Sequence, residues 1–225
     1  MASHETSSGV LDAQGIISLL MSTISGASDT TATTMTAIIY FLLRHPIELE
    51  KLRAELAEAG VSRNNTHSFT ATNKLPYLAA VIKESMRLFP TPTWPIERLV
   101  PAGGCTIAGQ HIPEGTSVGI FVPSVHMNKE IFGEDVDSFR PQRWIDAKEE
   151  NSKSMEQAFM GFSRGKRVCL GQNVALMQMK MVVSVLVMGF DIEFVQPDAR
   201  LEADMSLAVA CLRPLWVTVK RRRKV

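Results

Sequence analysis

The most informative part of this chain is the ten-residue stretch Phe162-Ser163-Arg164-Gly165-Lys166-Arg167-Val168-Cys169-Leu170-Gly171. It places a single cysteine between two glycines, beside cationic side chains and before an apolar run. Positive charge and backbone N–H groups stabilise a thiolate, and glycines let a large group approach the backbone closely. A lone cysteine without this context is typical of a small buried hydrophobe. The stretch therefore predicts that Cys169 is the axial iron ligand of a haem.

Composition narrows the class of protein. The chain has 225 residues, of which 45% are hydrophobic, an ordinary fraction for a folded globular protein. Its net charge of +1 offers no general attraction to nucleic acid, so no nucleic-acid partner is expected. Cys105, Cys169 and Cys211 are far apart and form no CxxC pair. This spacing argues against a disulfide framework or a structural zinc site.

The apolar segment 16–43 raises the alternative of a transmembrane span, because it approaches the necessary length. The polar run Ser28-Asp29-Thr30-Thr31 interrupts this segment midway, and a charged carboxylate is costly inside a lipid bilayer. The sequence therefore favours a long core helix over a transmembrane span.

Hydrophobic periodicity and the positions of proline and glycine predict an α+β, mainly helical fold. Helices are expected over 12–44, 46–60, 76–88 and 172–188, with a polar turn over 61–73. Short strands are expected over 96–100, 105–108, 111–112, 116–122 and 215–220. The stretch 129–162 has no clear pattern and is expected to be an irregular functional loop.

Four motifs follow one another along the chain, and together they resemble those of the cytochrome P-450 family of haem-thiolate monooxygenases. The stretch 162–171 matches Phe-x-x-Gly-x-Arg-x-Cys-x-Gly at every fixed position. The others are the Glu-x-x-Arg pair in 83–87, the meander motif 139–144 and the oxygen-activation motif 26–31, where Ala27 replaces the more usual glycine. The resemblance covers residues 12–220 and only the C-terminal half of the family; fungal microsomal members look most similar.

By this resemblance, residues 1–225 form a partial cytochrome P-450 domain. Its expected parts are a lead-in (1–12), a helical part (13–95), small β-sheets (96–122), a meander and haem loop (123–171), and a post-cysteine helix with terminal strands (172–225). Complete members are expected at the endoplasmic reticulum membrane. Their membrane anchor belongs to the half that is not matched, so a cytoplasmic location is expected for this chain.

The resemblance also implies a buried structural network of Glu84, Arg87 and Arg143. Glu84 and Arg87 are three residues apart, so they share one helix face. Arg143, in the meander, would bring a second guanidinium to the carboxylate. Desolvating three charges is expensive, so such a network specifies the placement of loops more than it stabilises the fold.

Further residues are implied contacts of the cofactor. Gly165 permits a tight turn, Gly171 lets the backbone approach the sulfur, and Phe162 would pack beside the sulfur and limit access of water. Arg167 would bind a haem propionate. Arg98 is either a second propionate ligand or an exposed strand arginine.

The polar residues of the segment 26–31 have two interpretations. Taken alone, Thr30 is a threonine that hydrogen-bonds back to a helix carbonyl. Within the family pattern, Thr30 would hydrogen-bond the oxygen, Asp29 would relay protons to it, and a groove beside Ala27 would hold O2.

The function implied by the resemblance is insertion of one atom of O2 into a C–H bond of a lipophilic organic substrate, in secondary or xenobiotic metabolism. The cofactor would be haem b, with electrons from an external NADPH-dependent flavoprotein reductase. The segments 16–22, 93–96 and 208–211 would face the substrate. Two alternatives are a catalytically silent, truncated fragment that binds haem or a partner, and a membrane-anchored structural protein.

Overall fold

In the computed structural model of the chain, the described residues are 12–61, 69–204 and 209–222. Residues 1–11, nearly all of the predicted lead-in, lie outside them, as do 62–68, 205–208 and 223–225. The helices are α1 (Ala13–Arg44), α2 (Pro46–Glu58), α3 (Phe69–Asn73), α4 (Pro76–Leu88), α5 (Val122–His126), α6 (Lys129–Phe132), α7 (Arg143–Asp146), α8 (Glu149–Ala158) and α9 (Gln172–Gly189). The strands are β1 (Ile96–Leu99), β2 (Cys105–Ile107), β3 (Gln110–Ile112), β4 (Ser117–Ile120), β5 (Phe190–Phe194), β6 (Ala203–Asp204), β7 (Cys211–Leu212) and β8 (Val217–Arg221).

The strands form small antiparallel sheets, so the helices supply most of the core. Each sheet among the described residues has two strands: β1 with β4, β2 with β3, β5 with β8, and β6 with β7. The prediction of an α+β, mainly helical fold is confirmed.

Three of the long helices begin at residues that mark a helix start in the sequence. The Asp12 carboxylate accepts a hydrogen bond from the Gly15 N–H at 2.7 Å and starts α1. Pro46 and Pro76 stand in the first turns of α2 and α4, where a missing backbone N–H removes no intrahelical bond. These helices therefore agree closely with their predicted bounds.

The main core lies where the C-terminal part of α1 meets α2, α4 and α9. Its buried side chains come from all four helices and include Ile38, Leu42, Leu52, Leu56, Leu78, Val81, Ile82, Met179, Val183 and Val187. This packing places α4 and the start of α9 in fixed positions, and both carry predicted functional residues.

The prediction of a long core helix holds only for the C-terminal part of α1. Buried residues of α1 begin at Thr31, whereas the apolar side chains from Ile16 to Ile24 are between 47% and 65% exposed. Nothing in the described part of the chain covers them. Among the described helices, α9 is the one long and apolar enough to cross a membrane, a test that core helices also pass.

Two predictions of irregular structure are wrong in part. The stretch 61–73 contains α3, and the stretch 129–162 contains α6, α7 and α8. Helix α8 is mostly polar, and its buried Met155 packs with Phe132 and Val136. A helix with one buried apolar residue shows no hydrophobic periodicity in its sequence. The strand predicted over 116–122 ends at Ile120 because α5 begins at Val122.

Candidate functional site

The carboxylate of Glu84 is the centre of a buried ion network between α4 and the meander. Arg87 Nε donates to its Oε2 at 3.0 Å and Arg87 Nη2 to its Oε1 at 2.8 Å. Arg143 Nε donates to Oε1 at 2.9 Å. All three side chains are at most 1% exposed. The structure thus brings Glu84, Arg87 and Arg143 together.

Two further residues complete the hydrogen bonding of this carboxylate. The Arg140 backbone N–H donates to Glu84 Oε1 at 3.0 Å, and Trp144 Nε1 donates to Oε2 at 2.9 Å. Both belong to the meander motif, which does not by itself indicate these bonds. Burial of a charged group is costly unless its lone pairs accept hydrogen bonds. These two donors therefore offset part of the cost of burying the network.

The two arginines also hold the backbone of the meander. Arg87 Nη1 donates to His126 O at 3.1 Å, and Arg87 Nη2 donates to Ser138 O at 3.3 Å. Arg143 Nη2 donates to the same Ser138 oxygen at 3.2 Å. The planar guanidinium groups therefore fix α4 and the meander relative to each other, as a flexible lysine could not.

Asp135 supplies a second carboxylate at the edge of the network. It accepts hydrogen bonds from Arg140 Nε at 2.5 Å and from Arg143 Nη1 at 3.1 Å. The bond from Arg140 lowers the pKa of Asp135, and the charge of Arg143 acts in the same direction. Asp135 therefore stays ionised and partly balances the charge of the buried Arg143.

The cysteine loop, residues 162–171, closes on itself through backbone hydrogen bonds. The Cys169 N–H donates to Phe162 O at 2.9 Å, and the Val168 N–H donates to Gly165 O at 3.1 Å. Gly165 has φ of 70°, in the left-handed region that glycine adopts without strain. The loop thereby turns back and presents Cys169 just before α9.

Cys169 is exposed, and Gly171, two residues later, is the N-cap of α9. A Cβ atom at position 171 would lie 3.8 Å from Cys169 Sγ, so the backbone passes within contact distance of the sulfur. The N-terminus of a helix favours a neighbouring negative charge. Phe162 packs against the main core, and its expected role beside the sulfur stays a prediction.

The cationic side chains of the cysteine loop differ in their surroundings. Arg167 lies in a short 3-10 turn, Gly165–Arg167, and is exposed. Arg164 Nη1 instead donates to Glu156 O at 2.7 Å and to Gln157 O at 2.8 Å. A cavity of about 610 Å³ lies between α4, α8, the cysteine loop and α9; it is lined by Ile82, Lys83, Met86, Glu156, Phe159, Phe162, Ser163, Arg164, Gly165, Val168, Gln172 and Leu176.

The oxygen-activation motif lies on the open part of α1. Ala27 and Asp29 are exposed, and Thr30 is half-buried. Thr30 Oγ1 donates to Gly26 O at 2.7 Å, which is the back-bonded arrangement that the sequence allowed. None of the hydrogen bonds seen among the described residues joins Ala27, Asp29 or Thr30 to the cysteine loop. Their roles toward oxygen stay a prediction.

Arg98 lies in β1 opposite Val118 of β4 and is exposed. Its Nη1 donates to the carbonyl of Glu97 at 2.7 Å. Of the two interpretations of Arg98, the exposed strand arginine is the arrangement described here. A contact with a propionate stays a prediction.

The residues present fit a haem bound through one cysteine. In the described ranges, no group of three or more His, Cys, Asp or Glu side chains could hold a bare metal ion. A haem iron needs only one axial protein ligand, and Cys169 is an exposed thiol before a helix N-terminus. The other free thiol described, Cys105, is partly buried and lies in β2.

Comparison with known proteins gives consistent results. The profile of the cytochrome P-450 family matches residues 1–215. A cytochrome P-450 monooxygenase of Aspergillus terreus is 43% identical over 173 residues, which cover 76% of this chain and 35% of the relative. The cytochrome P-450 monooxygenase pkfB of Emericella nidulans is 42% identical over 177 residues, covering 79% and 35%. The monooxygenase mfmA of Annulohypoxylon moriforme is 37% identical over 201 residues, covering 89% and 38%.

The chain spans about a third of the length of these curated relatives. The matched residues include the buried network of Glu84, Arg87 and Arg143 and the cysteine loop. Because the family profile extends over nearly the whole chain, the chain belongs to the cytochrome P-450 family.

Proposed function

We propose that this chain carries the haem-thiolate site of a monooxygenase that inserts one atom of O2 into a C–H bond of a lipophilic organic substrate. The observation that carries the proposal is the exposed Cys169 at the N-terminal end of α9, on a loop closed by its own backbone. The fungal relatives bear the name monooxygenase, which supports this activity.

In the proposed site, Cys169 binds iron as a thiolate. The first turn of α9 stabilises the negative charge through its N–H groups and dipole. The exposed guanidinium of Arg167 binds a carboxylate of the cofactor, because arginine recognises carboxylates with paired hydrogen bonds. When bound, the haem supplies the redox chemistry that activates O2, to which the thiolate contributes electron density.

Residues of α1 would deliver protons to the oxygen in this reaction. The Thr30 hydroxyl would exchange its hydrogen bond with Gly26 O for one with the oxygen, and the exposed Asp29 carboxylate would pass protons from water. The open surface beside Ala27 would leave room for O2. Electrons would come from an external NADPH-dependent flavoprotein reductase.

The alternative of a catalytically silent module receives less support. The matched relatives are named for an activity, not for binding alone. The fixed residues of the cysteine loop are also intact in this sequence. Both observations favour the monooxygenase.

The proposal is tested by the carbon monoxide difference spectrum of the purified chain, reconstituted with haem and reduced with dithionite. A far red-shifted Soret band is expected, because carbon monoxide on ferrous haem opposite a thiolate gives such a band. Cys169→Ser should abolish the band, whereas the matched variant Cys105→Ser should retain it. If the unaltered chain bound no haem, the proposed function would be rejected. If both variants bound haem with the same spectrum, Cys169 would be rejected as the ligand.

A further inference from the structure

His126 is a buried titratable residue to which the proposed reaction gives no role. It ends α5 and is 0% exposed. Its ring is stacked on Phe159, with centroids 5.5 Å apart and planes 4° from parallel, and meets Phe132 edge-on at 6.2 Å. The ring therefore lies in a fixed orientation between the meander and the segment that leads into the cysteine loop.

Both ring nitrogens of His126 have backbone partners, and these partners determine the tautomer. Nδ1 is 3.2 Å from Arg87 O, which can only accept a hydrogen bond. Nε2 is 3.0 Å from Met160 N, which can only donate one. The imidazole must therefore be neutral, with its hydrogen on Nδ1 and a lone pair on Nε2.

The two hydrogen bonds join the buried ion network to the cysteine loop. Arg87, whose side chain holds Glu84, binds His126 twice: its Nη1 donates to His126 O at 3.1 Å, and its own carbonyl accepts from Nδ1. On the other side, Met160 lies two residues before Phe162, and its carbonyl accepts from the Ser163 N–H at 2.9 Å. A continuous path of bonds thus runs from Glu84 to the start of the loop.

We propose that His126 is a positioning residue for Cys169, because its neutral ring holds the start of the cysteine loop against the backbone of α4. The binding of a haem iron by Cys169 rests on the proposed function, but the positioning of the loop by His126 does not depend on it. Burial lowers the pKa of His126 to about 4, which is consistent with a neutral ring. A second proton would turn Nε2 into a donor facing the Met160 N–H and would break that bond.

Two variants separate the hydrogen bonds from the packing of the ring. In His126→Gln, the side-chain carbonyl can reach the place of Nε2 and accept from Met160. In His126→Asn, the shorter amide can reach only the place of Nδ1 and bind Arg87 O. Both remove the stacking on Phe159 equally, so they form a matched pair. Hydrogen exchange of the amides of residues 160–169, measured without haem, is the readout.

The loop amides should exchange about tenfold faster in His126→Asn than in His126→Gln, because a buried N–H without an acceptor is destabilising. Amides of the segment 36–42 of α1 serve as the internal reference for global opening. Equal exchange in the two variants, after correction by this reference, would overturn the proposal. It would show that His126 acts only through packing.

A measurement on the unaltered chain keeps the proposal testable if both variants fail to fold. Long-range ¹H–¹⁵N correlation spectra of the histidine side chains distinguish the two neutral tautomers and the imidazolium. At pH 7, the Nδ1–H tautomer is expected for His126, and the Nε2–H tautomer or the imidazolium would overturn the proposal. Because neither readout contains haem, a negative carbon monoxide spectrum with protected loop amides would reject the proposed function and leave this inference standing.

Discussion

At the scale of the residue, Glu84 is the side chain on which most of the meander depends. Its oxygens accept from two buried guanidiniums, one indole and one backbone N–H. A buried ion pair is not in itself a strong source of stability, but removal of one partner leaves uncompensated charge. If Glu84 lost its charge, the buried guanidinium groups of Arg87 and Arg143 would lack the carboxylate that compensates them.

We therefore expect Glu84→Gln to lower the free energy of unfolding by about 3–5 kcal/mol, measured by urea denaturation. The exposed pair of Glu149 and Lys153 offers a control, because its side chains are 80% and 69% exposed. Glu149→Gln should cost at most about 0.5 kcal/mol. Similar losses in the two variants would contradict the importance of the buried network.

His126 gives a prediction of its own for the dependence of stability on pH. The pKa of His126 is lowered from 6.5 to about 4 by burial. As the pH falls from 6.5 to 4, the unfolded chain takes up a proton that the folded chain does not, so stability decreases over this window. We expect this titration to lower the free energy of unfolding by about 3 kcal/mol between pH 6.5 and pH 4.

The test compares the free energy of unfolding of the wild-type chain and His126→Gln between pH 7 and pH 4. The wild-type curve should fall more steeply than that of the variant. Asp135, whose pKa is also lowered, adds the same acid sensitivity to both proteins and so cancels in the comparison. Parallel curves would mean that His126 titrates alike in the folded and unfolded chain.

The sequence indicated some of these residues and not others, for physical reasons. Glu84 and Arg87 are separated by one helical turn, and Arg143 belongs to a recognisable motif, so their meeting could be predicted. His126 ends α5 in a stretch without a motif, and its partners Arg87 and Met160 lie 39 and 34 residues away. Contacts at such a distance leave no local pattern in the sequence.

At the scale of the element, α4 depends on a residue of another helix. Its N-cap, Leu75, makes no side-chain hydrogen bond to the first turn. Glu55 of α2 takes over this role: its Oε1 accepts from the Tyr77 N–H at 2.7 Å and its Oε2 from the Leu78 N–H at 2.8 Å. A carboxylate at a helix N-terminus also interacts favourably with the dipole.

We expect Glu55→Gln to lower the free energy of unfolding by about 1–2 kcal/mol, because an amide carries no charge and has one acceptor oxygen instead of two. The exposed Glu58, one turn later in α2, provides a control of equal charge change. Glu58→Gln should alter stability by less than about 0.5 kcal/mol. If Glu55→Gln changed the free energy of unfolding as little as Glu58→Gln, α4 would not need this cap.

The bounds of α2 and α4 could be predicted because proline marks their first turns and an apolar face runs through α4. The short helices α3 and α8 could not, since tertiary contacts stabilise them. Lys180 of α9 donates from Nζ to Asn73 O at 3.0 Å, at the end of α3. Met155 anchors α8 among side chains of the meander. Such short helices owe most of their stability to tertiary packing and are therefore weakly marked in the sequence.

At the scale of the whole molecule, the two halves of the long helix α1 differ in burial, because buried residues begin only at Thr31. The C-terminal part of α1 packs with α2, α4 and α9. The N-terminal part carries Ile17, Leu20, Met21 and Ile24, each more than half exposed and spaced as one helix face. Exposed apolar surface of this kind promotes association between molecules in water.

We expect the purified chain to self-associate through this face of α1, and the double variant Leu20→Glu with Ile24→Lys to weaken the association at least about tenfold. The two new charges cancel and form an i,i+4 pair that supports the helix, so neither net charge nor helix formation accounts for the change. Sedimentation velocity over a range of concentrations measures the effect. Ile47 in α2 is 73% exposed, and Ile47→Gln removes an apolar side chain outside this face. Association should persist in Ile47→Gln; equal weakening in both variants would instead place the contact elsewhere on the surface.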